Sequence, residues 1–253
     1  MAPSTELKRS LSLVQITLYG LGTILGAGIY VLVGKVAGLA GLYAPVSFVV
    51  AAALAALTGL SYAELSARYP RNAGEALYVQ EGLHVRGLSV LVGFLIILTG
   101  VVSAATIANG FVGYLHVFVA IPDWLAIALL VILLGALAAW GISESVMAAS
   151  LITLLEVGGL LLVLFVAGDS LGDLPARLPE LIPPADGGIW LGIMLGAFLA
   201  FYAFIGFEDM VNVAEEVKDP SRNLPLAIII AIVVSTILYL LVSLVAVLSL
   251  PPA

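Results

Sequence analysis

The chain has no cysteine, two histidines, and only nine Lys and Arg against sixteen Asp and Glu in 253 residues. Without thiols, disulfides and thiolate metal centres are excluded. His84 and His116 stand too far apart along the predicted topology to share a metal, so no metal site and no cofactor are expected. No nucleophile–base constellation stands out, and enzymatic activity is not expected. The few cations are scattered and the net charge is −7, which leaves no basic patch for nucleic acid. Strand-type alternation is also missing, which argues against a β-barrel.

Apolar sequence is what remains. The chain is 62% hydrophobic and 10% charged, where a soluble domain carries about 25% charged residues. Stretches free or nearly free of charge cover 10–34, 36–63, 87–122, 124–143, 145–168, 187–207 and 223–250. Each can supply the roughly 20 apolar residues of a spanning helix, so the expectation is an all-α polytopic membrane protein of seven spans, embedded in the lipid bilayer. After Lys8-Arg9 the first apolar run continues past Gly34 without a polar region, which fits a retained span better than a signal peptide. Lys8, Arg9, Arg68, Arg71, Arg86, Lys218 and Arg222 fall on one side, Lys35 and Arg177 on the other. By the positive-inside rule the N-terminus is cytoplasmic, and the expected location is the plasma membrane.

Local signals place the connections. Glu64 and Arg68 have the spacing of an i,i+4 pair near the end of the second span. Asp123 is expected to cap the fourth helix, and Pro225 to occupy the first turn of the seventh. The chain then leaves the last span through Leu250-Pro251-Pro252-Ala253.

Two spans are interrupted by glycine: Thr23-Ile24-Leu25-Gly26-Ala27-Gly28-Ile29-Tyr30 in the first, Phe201-Tyr202-Ala203-Phe204-Ile205-Gly206-Phe207-Glu208 in the sixth. Unwound backbone survives in a bilayer only beside protein or a wet cavity. Breaks in corresponding positions of two spans point to a midplane binding site. Unwinding at Gly26 and Gly28 exposes amides backed by a helix dipole, an anion site. The competing reading is close packing through Gly22, Gly26 and Gly34. Ile205-Gly206 exposes carbonyl oxygens suited to an ammonium group, and together the two rims suit a zwitterion. Glu208 reads either as a cap or as a gating carboxylate.

Ile24 to Tyr30, Tyr62-Ala63-Glu64-Leu65 with Pro70 and Gly74, Phe201 to Glu208, and Ala214 to Pro220 with Arg222 and Pro225 occur in order along the whole chain. In these motifs the sequence resembles the amino acid–polyamine–organocation transporter family. The resemblance implies a LeuT-like inverted-repeat fold with discontinuous first and sixth helices. Residues 1–253 would form one transmembrane domain, 12–168 being the complete first repeat and 188–250 two helices of an incomplete second. It implies a substrate α-carboxylate on the amides of Gly26, Ala27 and Gly28, and an amine on the carbonyls of Ile24 and Ile205 beside Gly206. Tyr202 matches an aromatic lid. Ser103 and Thr106, with Gly110 and Gly113, line one face of the third span and either border the side-chain pocket or form a packing face.

Glu156 lies in the middle of the fifth span. An ionised carboxylate costs about 2.5–3.5 kcal/mol at the bilayer centre, a cost that a bound proton removes. Family members that couple to protons often carry lysine there, so this position departs from the pattern. It reads as a coupling site or as a neutral structural carboxyl. The expected function is secondary active transport of amino acids by alternating access, through proton-coupled symport or exchange, with this chain expected to be the N-terminal seven-helix portion of a longer or split transporter. The alternative is a non-transporting amino-acid-binding membrane protein, or a subunit of a split or oligomeric assembly. Expected partners are the substrate, a proton or other cation, lipid, and a complementary chain or second copy covering the incomplete repeat.

Overall fold

The computed structural model describes residues 7–249, so the expected exit at 250–253 lies outside the described residues. These fold almost entirely into helices: α1 (Leu13–Ala40), α2 (Ala44–Arg68), α3 (Gly74–Leu83), α4 (Arg86–Leu115), α5 (Asp123–Trp140), α6 (Ile142–Ala167), α7 (Leu174–Arg177), α8 (Gly187–Tyr202) and α9 (Pro220–Leu248). Six helical stretches are long and apolar enough to cross a membrane, and the first of them, Leu13–Arg68, comprises both α1 and α2. Two compact units emerge, one holding the chain up to Asn72 and from Ala149 onward, the other Ala73–Ala148.

In the first unit, α1 and α2 pack against α8 and α9. The start of α1 is fixed by a capping box: the Gln15 amide donates to Ser12 Oγ at 3.4 Å and the Ser12 amide to Gln15 Oε1 at 3.0 Å. Small residues then let helices approach. A Cβ on Gly192 would lie 2.6 Å from the Leu39 carbonyl oxygen, and one on Gly196 2.7 Å from Ser47 Oγ. The Ser47 hydroxyl donates to the Ile193 carbonyl at 2.9 Å, which fastens α2 to α8. Buried rings close the core, Tyr239 standing edge-on to Phe48 and Phe204 at centroid distances of 5.9 and 5.0 Å.

A short parallel bridge joins Leu11 to Val217: the Leu11 amide donates to the Glu216 carbonyl and the Lys218 amide to the Leu11 carbonyl, each at 2.9 Å. Asn72 ties the α2 exit to the same segment, its Oδ1 accepting the Glu215 amide at 3.0 Å. The expected Glu64–Arg68 ion pair forms on α2, with both side chains exposed.

In the second unit, α3 and α5 pack on α4, and the Ser89 hydroxyl donates to the Ala76 carbonyl at 2.6 Å. Tyr78 is buried on α3, and burial, then the Glu75 charge, pushes its phenol above the ordinary range.

Two expected boundaries move. Asp123 does not cap its helix: Pro122 holds that position, and Asp123 is the first helical residue, its Oδ1 3.5 Å from His116 Nε2. Pro225 does not open the last helix. Asp219 adopts a left-handed conformation (φ 46°), which reverses the chain early enough for Pro220 to begin α9, and Pro225 falls inside it.

Candidate functional site

The two glycine-rich segments meet. At Gly26 the backbone of α1 leaves helical values (φ 16°, ψ −144°). α8 ends at Tyr202, and after a turn the chain continues as a 3-10 helix over Phe207–Glu216. Gly206, in that turn, has φ 135°, and a Cβ there would lie 2.5 Å from the Thr23 carbonyl oxygen and 2.9 Å from the Ile24 nitrogen. Dihedral and contact together admit only glycine. The Thr23 hydroxyl donates to the Gly206 carbonyl at 2.9 Å. On the other side of the α1 break, a Cβ on Gly28 would stand 3.1 Å from Ala203 Cα. Thus residues 23–28 cross residues 203–206 at backbone distance.

The glycines of α1 divide by surroundings. Gly22 and Gly28 are packing glycines, a Cβ on Gly22 falling 2.2 Å from Thr153 Oγ1. Gly26 is different: nothing lies within 4 Å of the place its Cβ would occupy. Open space therefore borders the one residue of α1 with non-helical dihedrals. Ala27 follows in the same helix.

Tyr239, on α9, is the residue that sequence reasoning missed. Its fully buried phenol lies 2.7 Å from the Ile24 carbonyl oxygen and 2.8 Å from that of Ala203. A phenol has one proton, so it can donate fully to one of these carbonyls at a time. A signal was available: Ser235, Tyr239 and Ser243 form a polar stripe at four-residue spacing along an apolar helix, and a buried tyrosine hydroxyl usually finds a partner.

The other candidates distribute as follows. Ile205 and Tyr202 are 39% and 53% exposed at the turn. Glu208 accepts the Gly206 amide on Oε2 at 2.8 Å, so its carboxylate braces the turn as a cap does. On α6, Glu156 is half-buried; its Oε2 atom is buried without a hydrogen-bond partner, while its backbone carbonyl accepts the Tyr30 hydroxyl at 2.8 Å. Ser103 and Thr106 belong to the second unit, on α4, where Thr106 donates to the Val102 carbonyl at 2.8 Å.

Against known proteins, residues 11–253 match the profile of a family described as amino acid permease. The chain belongs to the amino acid permease family. It is a multi-pass membrane protein. It is similar to the vacuolar cationic amino acid transporter 4 of Arabidopsis thaliana, with 34% identity over 96% of this chain and 43% of the relative. It is also similar to the methylthioribose transporter of Bacillus subtilis, at 32% over 96% of this chain and 55% of the relative. The branched-chain amino acid permease of the same bacterium is 31% identical over 94% of this chain and 54% of its own length. The chain thus spans about half the length of the curated relatives it matches.

Proposed function

We propose that this permease chain carries the substrate site of a secondary active amino-acid transporter, placed where the α1 break crosses the turn after α8. The observation that carries the reading is the open space beside Gly26 at a point where two helices expose backbone to each other. Amides of Gly26, Ala27 and Gly28, with the positive end of a helix dipole behind them, suit a carboxylate. Carbonyls of Ile24 and Ile205 suit the ammonium group, and Tyr202 covers it. Two of the three relatives above carry amino acids in their names, one cationic and one branched-chain, while the third names methylthioribose. A zwitterion fits paired amides and carbonyls better than an uncharged sugar derivative does.

In this reading the fold is LeuT-like. Residues 12–168 form the first repeat and 188–250 two helices of the second, in one domain over 1–253 with a cytoplasmic N-terminus in the plasma membrane. Further helices complete the pocket, and the breaks rock against the remaining helices in alternating access. Glu156 supplies the coupling proton or cation site, supported by its unpartnered carboxyl oxygen. Glu208 gates by holding or releasing the Gly206 amide.

The test is uptake into proteoliposomes of radiolabelled leucine, arginine and their D-enantiomers, with methylthioribose as competitor, on native protein and on Glu156→Gln. Saturable, L-selective uptake whose pH dependence is lost in Glu156→Gln is expected. Binding without uptake would replace transport with the subunit reading, and a pH profile unaltered in Glu156→Gln would remove the coupling role.

A further inference from the structure

Two contacts fix α1 against α6, one on each side of the Gly26 break. Before the break, Gly22 faces Thr153, whose Oγ1 would lie 2.2 Å from a Cβ on that glycine. After it, the Tyr30 hydroxyl donates to the Glu156 carbonyl at 2.8 Å and lies 3.1 Å from where a Cβ on Gly159 would stand. Residue numbers rise in the same direction along both helices, so Glu156 is bracketed between Thr153 and Gly159 just as Gly26 is between Gly22 and Tyr30. Side chains on a helix lean toward its N-terminus, which brings the Tyr30 ring back toward the level of the break. Thr153 is itself anchored, its hydroxyl donating to the Ala149 carbonyl at 2.9 Å.

The Tyr30 side chain is 44% exposed, and its hydroxyl makes the hydrogen bond to α6. Any residue larger than glycine at 159 would crowd that hydroxyl. Tyr239 of α9 contacts the Ile24 carbonyl at 2.7 Å, on the same stretch of α1.

We propose that Tyr30 is a positioning residue for Glu156: its hydroxyl, seated over Gly159, fixes α6 against the C-terminal half of α1 and sets where the Glu156 carboxyl stands beside the Gly26 break. The proposal rests on the coupling role assigned to Glu156 above. If α1 moves at its break during transport, the hydroxyl makes and loses its hold on α6. The environment of the Glu156 carboxyl then changes with the movement.

The experiment uses native protein in lipid bilayers, with Tyr30→Phe, Gly159→Ala, Glu156→Gln and the double variant Tyr30→Phe/Glu156→Gln. Two readouts are taken: the pH profile of uptake, and the infrared carboxyl stretch that disappears in Glu156→Gln. Tyr30→Phe should move that band and shift the pH midpoint, because the carboxyl loses its fixed position rather than a hydrogen bond of its own. Gly159→Ala should act in the same direction, and it serves as the second variant where Tyr30→Phe does not fold. In the Glu156→Gln background, Tyr30→Phe should change neither readout. A band and midpoint unmoved in folded Tyr30→Phe and Gly159→Ala would overturn the proposal, as would an equal loss of uptake in both backgrounds. A flat profile in the native protein would remove the coupling role while the infrared band still decides whether Tyr30 positions the carboxyl.

Discussion

At the scale of single residues, the two breaks answer differently to the same change. Gly206 has both a left-handed dihedral and backbone 2.5 Å from its missing Cβ. Gly206→Ala should therefore cost about 1–3 kcal/mol in strain alone and lower the thermal midpoint in detergent or abolish folded expression. Gly26→Ala meets no atom within 4 Å, so no clash opposes the methyl, and ligand affinity should fall as it enters the open space. Thermal shift without and with leucine or arginine measures both effects. Tyr239→Phe keeps the ring between Phe48 and Phe204 but removes the proton shared by two buried carbonyls. A loss of about 1–3 kcal/mol is expected, read from the thermal midpoint; an unchanged midpoint would mean that water replaces the hydroxyl. The glycines were legible in the sequence because a bilayer tolerates unwinding at few places. The role of Tyr239 was not, because its partners lie 215 and 36 residues away and only folding brings them within reach.

At the scale of elements, helical spans could be read from apolar length, whereas their ends could not. Side chains with two plausible jobs decided the boundaries: Asp123 serves His116 rather than its own helix, and Asp219 turns the chain so that Pro220 leads α9. The 3-10 character of Phe207–Glu216 was equally hidden, since composition does not distinguish it from an α-helix. What holds this segment in place is remote in sequence. Asn72 exchanges hydrogen bonds with Glu215 and Glu216, and Leu11 pairs with Val217. Asn72→Ala removes the two side-chain links, Nδ2 to the Glu216 carboxylate and Oδ1 from the Glu215 amide, and leaves both the Asn72 main-chain amide on the Glu215 carboxylate and the Leu11 bridge in place. Hydrogen exchange at the Glu215 amide should then rise about tenfold, matching one net hydrogen bond of about 1.4 kcal/mol, while the Lys218 amide, which donates to Leu11, stays protected. Equal exposure of both amides would show that the clasp opens as a single unit.

At the scale of the whole molecule, helix length and shielding decide which segments cross the bilayer. α8 has 16 residues, about 24 Å of helix, against a hydrocarbon core of about 30 Å. Alone it is too short to span. Adding the 10-residue 3-10 segment Phe207–Glu216, at about 2 Å per residue, makes crossing possible, but only if the turn at Gly206 is shielded from lipid. The burial of Gly206 against Thr23 and Ile24 provides that shielding, so the stretch should cross. Absence of cysteine makes the test clean, since each introduced thiol is the only one in the chain. Ser170→Cys lies before this stretch, in the 3-10 helix Gly168–Asp173, and Ser221→Cys lies after it, in the first turn of α9. With sealed vesicles of known orientation, an impermeant maleimide should label position 170 from the outside and position 221 from the cytoplasmic side. Labelling of both from one side would mean that Gly187–Glu216 enters and returns. The crossing of the two breaks would then be a re-entrant surface, and alternating access between two sides could not pass through it.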